Sequence, residues 1–213
     1  MKKLISILVI TLSICAVSYA QTDNKPANNV SVTIYSQLLE KLKAGDTKID
    51  YKAIRVAFTD TKEFSPLGAQ TDYKLFAMVE KKKFKDAIKV AAEKLESNYV
   101  DIDAHLVCAI SYAETKNQAK ADFHKAVYLG LINSILSGAD GKGAKTAFVV
   151  LSIGEENSVL RALGLIKADQ ALINENGKKF DVIGVTDAKT KEASKVYFNI
   201  DLLWKGYDNM FSK

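Results

Sequence analysis

A chain of 213 residues, 48% of them apolar, can bury a core sufficient for one domain or two fused subdomains. Its formal charge of +5 is mild and spread over many lysines, which argues against a nucleic-acid-binding face. Only two cysteines occur, and one of them lies in the leading apolar stretch, so no internal disulfide framework is expected.

Residues 1–20 read as a secretory signal peptide. Lys2 and Lys3 form a basic start, Leu4–Val17 is apolar, and Ser18-Tyr19-Ala20 is a small-x-small cleavage site. The apolar core is short for a bilayer span, and Ile14 before Cys15 does not fit a lipoprotein signal. The mature chain is therefore expected to begin at Gln21, with a charge of about +3, and to be periplasmic or secreted. No later apolar run is long enough to cross a membrane.

Residues 21–29 are polar, contain Pro26, and read as a disordered leader. Val30–Lys43 has Ile34, Leu38, Leu39 and Leu42 at helical spacing, and Gly45 ends it. Tyr51, Ile54 and Phe58 form one face of a short helix, and Ser65-Pro66-Leu67-Gly68 is a turn. Arg55 and Arg161 are the only arginines in a lysine-rich chain. A guanidinium in that setting suggests a multi-donor role, either a salt bridge or carbonyl clamp between subdomains, or an anion site.

Asp72–Ser137 carries four helices in two helix–turn–helix units. Tyr73, Phe76, Ala77 and Glu80 share their spacing with His105, Cys108, Ala109 and Tyr112. Ala87 and Ala121 fall where the second helices must approach closely. The pattern resembles tetratricopeptide repeats, although the usual proline is missing and the period is not a clean 34. Two such units cannot cover their own apolar faces, so flanking segments must complete the core. Cys108, between Val107 and Ala109, reads as a small buried hydrophobe.

The glycine-rich stretch Ser137–Thr146 lacks phosphate-loop chemistry. Ala144 interrupts the Gly-Lys-Thr order, and a helix leads in where a strand should. Asp140 is its only carboxylate, too few for a calcium loop. It reads as a hinge into a strand over Thr146–Ser152. A helix then starts near Gly154-Glu155-Glu156, with acids in the favourable first turn. Strands are expected at Lys167–Asn174, Lys178–Thr186 and Ser194–Ile200, the first two joined at Asn176-Gly177. Phe180 and Val182 alternate with Asp181, and Val196, Phe198 and Ile200 with Tyr197 and Asn199. One face of this antiparallel meander should be buried and the other wet. Asp201–Phe211 is a closing helix.

The predicted fold is α+β: tetratricopeptide-like helical hairpins over residues 30–137, packed with a small antiparallel sheet over residues 138–213.

The chain resembles the DUF4919 family of exported bacterial proteins. The carrying stretches include Asp50-Tyr51, Ile54-Arg55, Phe58-Thr59-Asp60-Thr61, Phe123-His124-Lys125 and Asn133-Ser134-Ile135-Leu136. Others are Ser137-Gly138, Asp140-Gly141, Thr146-Ala147-Phe148-Val149-Val150, Glu155-Glu156, Leu160-Arg161-Ala162-Leu163-Gly164 and Tyr197-Phe198-Asn199-Ile200-Asp201. The resemblance implies a small exported protein with a repeat-like first half, and no particular activity.

No Gly-x-Ser-x-Gly and no short His-x-x-x-His occurs, so no catalytic residue, metal or cofactor is assigned. Among the polar residues of the shared motifs, the best candidate constellation is Arg55, Thr59, Thr61, His124, Glu155, Glu156 and Arg161. They can form a ligand site at the helix–sheet junction or a polar seam holding it together. Two functions follow, beside a purely structural envelope role with no pocket at all. One is a non-catalytic binding or scaffold protein that offers its helices to a protein or peptide of the envelope. The other is a small hydrolase-like or ligand-binding protein using the junction.

Overall fold

The computed structural model describes residues 25–66 and 73–211. The expected signal peptide lies outside the described residues, as do residues 21–24 of the expected leader and 67–72 of the loop before the third helix. The first helix, α1 (Lys25–Lys43), begins inside the stretch read as leader. Next come α2 (Tyr51–Phe58), α3 (Tyr73–Glu80), α4 (Phe84–Ser97), α5 (Ile102–Glu114) and α6 (Gln118–Leu136). A 3-10 turn (Ala144–Thr146), β1 (Phe148–Val149) and α7 (Ile153–Ala162) lead to the strands β2 (Leu165–Glu175), β3 (Lys178–Asp187) and β4 (Ala193–Asn199). Helix α8 (Asp201–Phe211) closes the chain. The fold is α+β, and none of the described helices is long and apolar enough to cross a membrane.

Side-chain caps start several of the helices. Asp50 Oδ1 accepts from the Ala53 N–H at 2.8 Å, Asp101 Oδ1 from Ala104 at 2.8 Å, and Ser152 Oγ from Glu155 at 3.2 Å. The β2–β3 hairpin turns on Asn176 (φ +52°) and Gly177 (φ +76°), the left-handed pair that a two-residue hairpin loop requires.

The sheet order is β1-β4-β3-β2. The three long strands form the expected antiparallel meander, but β1 joins β4 in parallel, which makes the sheet mixed. The glycine-rich loop explains this fourth strand. The Gly141 N–H donates to Thr146 O at 2.8 Å, and Gly141 O accepts from Tyr197 N–H at 2.8 Å. The loop thereby docks on β4 and feeds Phe148 in beside Phe198. Gly141 has φ +68°, and a Cβ there would run into the Phe148 ring.

The main core joins α1, α2, α6, α7 and the sheet, with Leu42, Ile54, Leu131, Val159, Ile183 and Phe198 fully buried or nearly so. A smaller one lies among α3, α4 and α5, where Leu75, Ala87, Ala91, Val107 and Cys108 pack. Tyr99 packs against both. Alanines at 87 and 121 are buried as their spacing requires.

Three packing expectations change. In α1, Ile34 is exposed, and Tyr35 instead meets Phe58 with ring centroids 5.5 Å apart. Tyr73, the expected first-helix aromatic, is 78% exposed because it stands at the very start of α3; Leu75 fills the core in its place. In β3 the alternation fails, since every residue from Phe180 to Val185 is buried. Asp181 pairs with Phe198 and Ile183 with Val196, so the face shared with the buried residues of β4 is the one carrying Asp181.

Candidate functional site

Arg55, buried on α2, holds Glu155 of α7 in a bidentate pair: Nε donates to Oε1 at 2.8 Å and Nη2 to Oε2 at 2.6 Å. Nη2 also donates to Val149 O at 3.2 Å and Nη1 to Ser134 Oγ at 3.1 Å. Glu155 Oε2 accepts a further bond from the Leu151 N–H at 2.7 Å. One guanidinium thus ties α2, α6, β1 and α7 together, a geometry that a lysine ammonium cannot reproduce.

Arg161, two turns further along α7, is engaged elsewhere. Its Nη1 donates to Asp103 Oδ1 of α5 at 2.6 Å, and its guanidinium lies 4.1 Å from the centroid of the Phe76 ring. Ser158 Oγ donates to the same Asp103 oxygen at 2.6 Å. Burial pushes the Asp103 carboxyl above its ordinary range, and Arg161 and Ser158 act against that rise.

Glu156 faces a different neighbour. It is fully buried, and neither carboxyl oxygen meets an N–H or O–H donor. Burial raises it from 4.5 to about 9, and the nearby Asp181 carboxylate adds to the rise. Glu156 therefore carries a proton at neutral pH. Asp181 in turn accepts from Gln170 Nε2 at 2.7 Å.

His124 lies with His105 and not with the arginines. Their Nδ1 atoms are 2.9 Å apart, and His105 Nε2 sits 3.0 Å from Tyr99 O. With His105 Nε2–H donating to that carbonyl, His105 Nδ1 accepts and His124 Nδ1–H donates. Tyr112 stacks on His124 at 5.6 Å. Burial lowers both imidazoles to about 4, so the pair is neutral at physiological pH. The Cys108 thiol is pushed up to about 12 by burial, a poor nucleophile.

The two threonines serve the end of α2. Thr59 Oγ1 donates to Val56 O at 2.7 Å and Thr61 Oγ1 to Phe58 O at 2.9 Å. The seven motif residues are thus distributed. Arg55 meets Glu155, whereas Glu156, Arg161 and His124 each have a partner outside the set. Asp103, Asp181, Gln170 and Ser158 had no sequence signal beyond being polar, because their partners lie 11 to 58 residues away.

Among the described residues, concavities lie on either side of the Arg55–Glu155 pair and between α5 and α6. One of about 140 Å³ is lined by Lys94, Asp101, Asp103, Ser152, Glu155 and Ser158, among others. A second, of about 190 Å³, lies beside Arg55, α6 and the glycine-rich loop. A third, of about 340 Å³, is an open groove between α5 and α6. His124 lines none of the three. Among the described residues, no group of three or more His, Cys, Asp or Glu is placed to hold a metal.

A family profile described as a domain of unknown function, DUF4919, matches residues 21–209. The chain belongs to the DUF4919 family. No curated protein and no solved structure matches it. For this DUF4919 chain the geometry of the site therefore carries the functional argument.

Proposed function

We propose that this chain is a non-catalytic, exported binding or scaffold protein that receives an apolar segment of an envelope protein or peptide in the α5–α6 groove. The observation that carries this reading is the groove itself. Leu106, Ala109, Ile110 and Ala113 of α5 face Tyr128 and Leu129 of α6, with Ile110 36% and Leu129 43% exposed. In a tetratricopeptide-like stack the next helix would cover this face, but here the chain turns away into the sheet. An amphipathic helix laid there would continue the stack and bury those side chains. The polar junction supports the same reading, since the charged groups of the arginine clamps are engaged with one another.

The test is photo-crosslinking from position 110 of residues 21–213 in envelope extract, repeated with Ala113→Glu/Leu129→Glu. Both side chains are solvent-accessible, so the variant should melt like the parent. A partner crosslinked at 110 and lost in the folded variant supports the reading. Capture that is indifferent to the two glutamates refutes it.

A second reading has its own observation. The cavity of about 140 Å³ is lined by Asp101, Asp103 and Glu155 with the hydroxyls of Ser152 and Ser158. Under this reading a small ligand, or a hydrolase-like reaction, would occupy the junction. An Asp101→Asn variant that keeps groove binding but loses a small-molecule ligand would favour it.

A further inference from the structure

The Arg55–Glu155 pair separates two cavities of opposite character. Glu155 lines the acidic one, and Arg55 lines the other, a pocket bounded by Lys52, Ser134, Lys145 and Thr146. No carboxylate lines this second pocket. Lys52 and Lys145 make no ion pair among the described residues, in a chain whose acids and bases are otherwise interspersed.

We propose that this pocket binds a small oxyanion, the carboxylate or phosphate group of a metabolite. Arg55 is 3% exposed, and its guanidinium is locked by Glu155, Val149 O and Ser134. Four of its five N–H groups are thereby engaged, so it forms a rigid wall that leaves only the second Nη1–H to face a ligand. Glu155 cancels the Arg55 charge, so the attraction comes from Lys52 and Lys145 at the exposed rim. Opposing them are the partial negative charge at the carbonyl end of α6, which ends at Leu136 beside the pocket, and the Asp140 carboxylate, which accepts from the lining Thr146 hydroxyl. Val56, Ile135 and Val149 supply apolar walls. A volume of about 190 Å³ suits a ligand of a few heavy atoms and excludes a dinucleotide. The site is independent of the α5–α6 groove.

Titration of the 15N-labelled chain (residues 21–213) with inorganic phosphate, and separately with succinate, tests this at low ionic strength. The expected result is saturable amide shifts centred on Gly138, Thr146 and Val149. A phosphate-only response identifies a phosphoryl ligand, and a succinate-only response a carboxylate. Lys52→Gln/Lys145→Gln should weaken binding by about tenfold or more, because two like charges near an anion are removed. Lys142→Gln, an exposed lysine outside the pocket lining, should leave it unchanged. The proposal falls if neither anion saturates these amides by about 10 mM. It also falls if the double variant binds like the parent, or if Lys142→Gln weakens binding equally.

Discussion

Replacing Glu156 by glutamine should stabilise the protein at neutral pH, although the position is fully buried. Burial, reinforced by Asp181, raises this carboxyl from 4.5 to about 9, so at pH 7 the folded chain holds a proton that the unfolded chain releases. Keeping a carboxyl of ordinary pKa 4.5 protonated at pH 7 costs about 3 kcal/mol. That figure requires only that the folded value lie above 7. Glutamine has nearly the same shape, no charge at any pH, and an N–H to set against the nearby Asp181 carboxylate. The variant should therefore recover most of the roughly 3 kcal/mol at pH 7. A raised carboxyl contributes stability that is complete below the unfolded value and is lost as pH rises towards the folded one. The advantage of glutamine should thus vanish near pH 4, grow by about 1.4 kcal/mol per pH unit between, and level off above about pH 9. Urea unfolding of parent and variant at pH 4.5, 6 and 7.5 reads the difference directly. A pH-independent difference, or a variant less stable than the parent at pH 7.5, would show that Glu156 is ionised in the fold and refute the reasoning.

Arg55→Met should cost about 3–5 kcal/mol, because it strands the buried Glu155 carboxylate, and adding Glu155→Gln should restore part of the loss. Equal destabilisation by the single and double variants in urea melts would count against the clamp. The histidine pair predicts the opposite pH slope to Glu156. Both imidazoles are lowered to about 4 by burial, so the stability they lend is present above the unfolded value of 6.5 and lost as pH falls through about 4. For His105 this amounts to about 2 kcal/mol at pH 5. An NMR titration in which either ring protonates between pH 6 and 7 would contradict it.

Local signals in the sequence led to much of this fold. Asn176-Gly177 located the hairpin because only a left-handed pair closes a two-residue loop between twisted strands. Asp201–Phe211 forms the closing helix over the expected range. The rarity of arginine pointed to Arg55 as a multi-donor group, which its four hydrogen bonds bear out. The misses are tertiary. Phe180 and Val182 suggested one buried face of β3, but the strand is central and covered on both sides, so burial there follows sheet position and not alternation. Nothing near Asp181 in sequence announces Glu156, 25 residues earlier on a helix across the sheet face. His105 entered through the repeat spacing and His124 as a junction residue; only the folded chain shows them bonded to each other.

Helix α7 explains why the polar motif residues do not share a pocket. Successive residues on a helix point about 100° apart, so Glu155 and Glu156 must leave in different directions. Glu155 reaches Arg55 of α2, while Glu156 faces Asp181 of β3. Ser158 and Arg161, three residues apart, share a side and both meet Asp103 of α5. A helix of ten residues thereby bonds directionally to α2 and α5 of the helical half and sets Glu156 against Asp181 of the sheet. Apolar burial alone would let α7 slide or rotate at modest cost, whereas stranding any of these charges is costly. The seam thus fixes how the two halves meet. The uncovered α5–α6 groove lies outside it and the lysine-rimmed pocket borders it at Arg55, so the occupants proposed for them need not break a clamp.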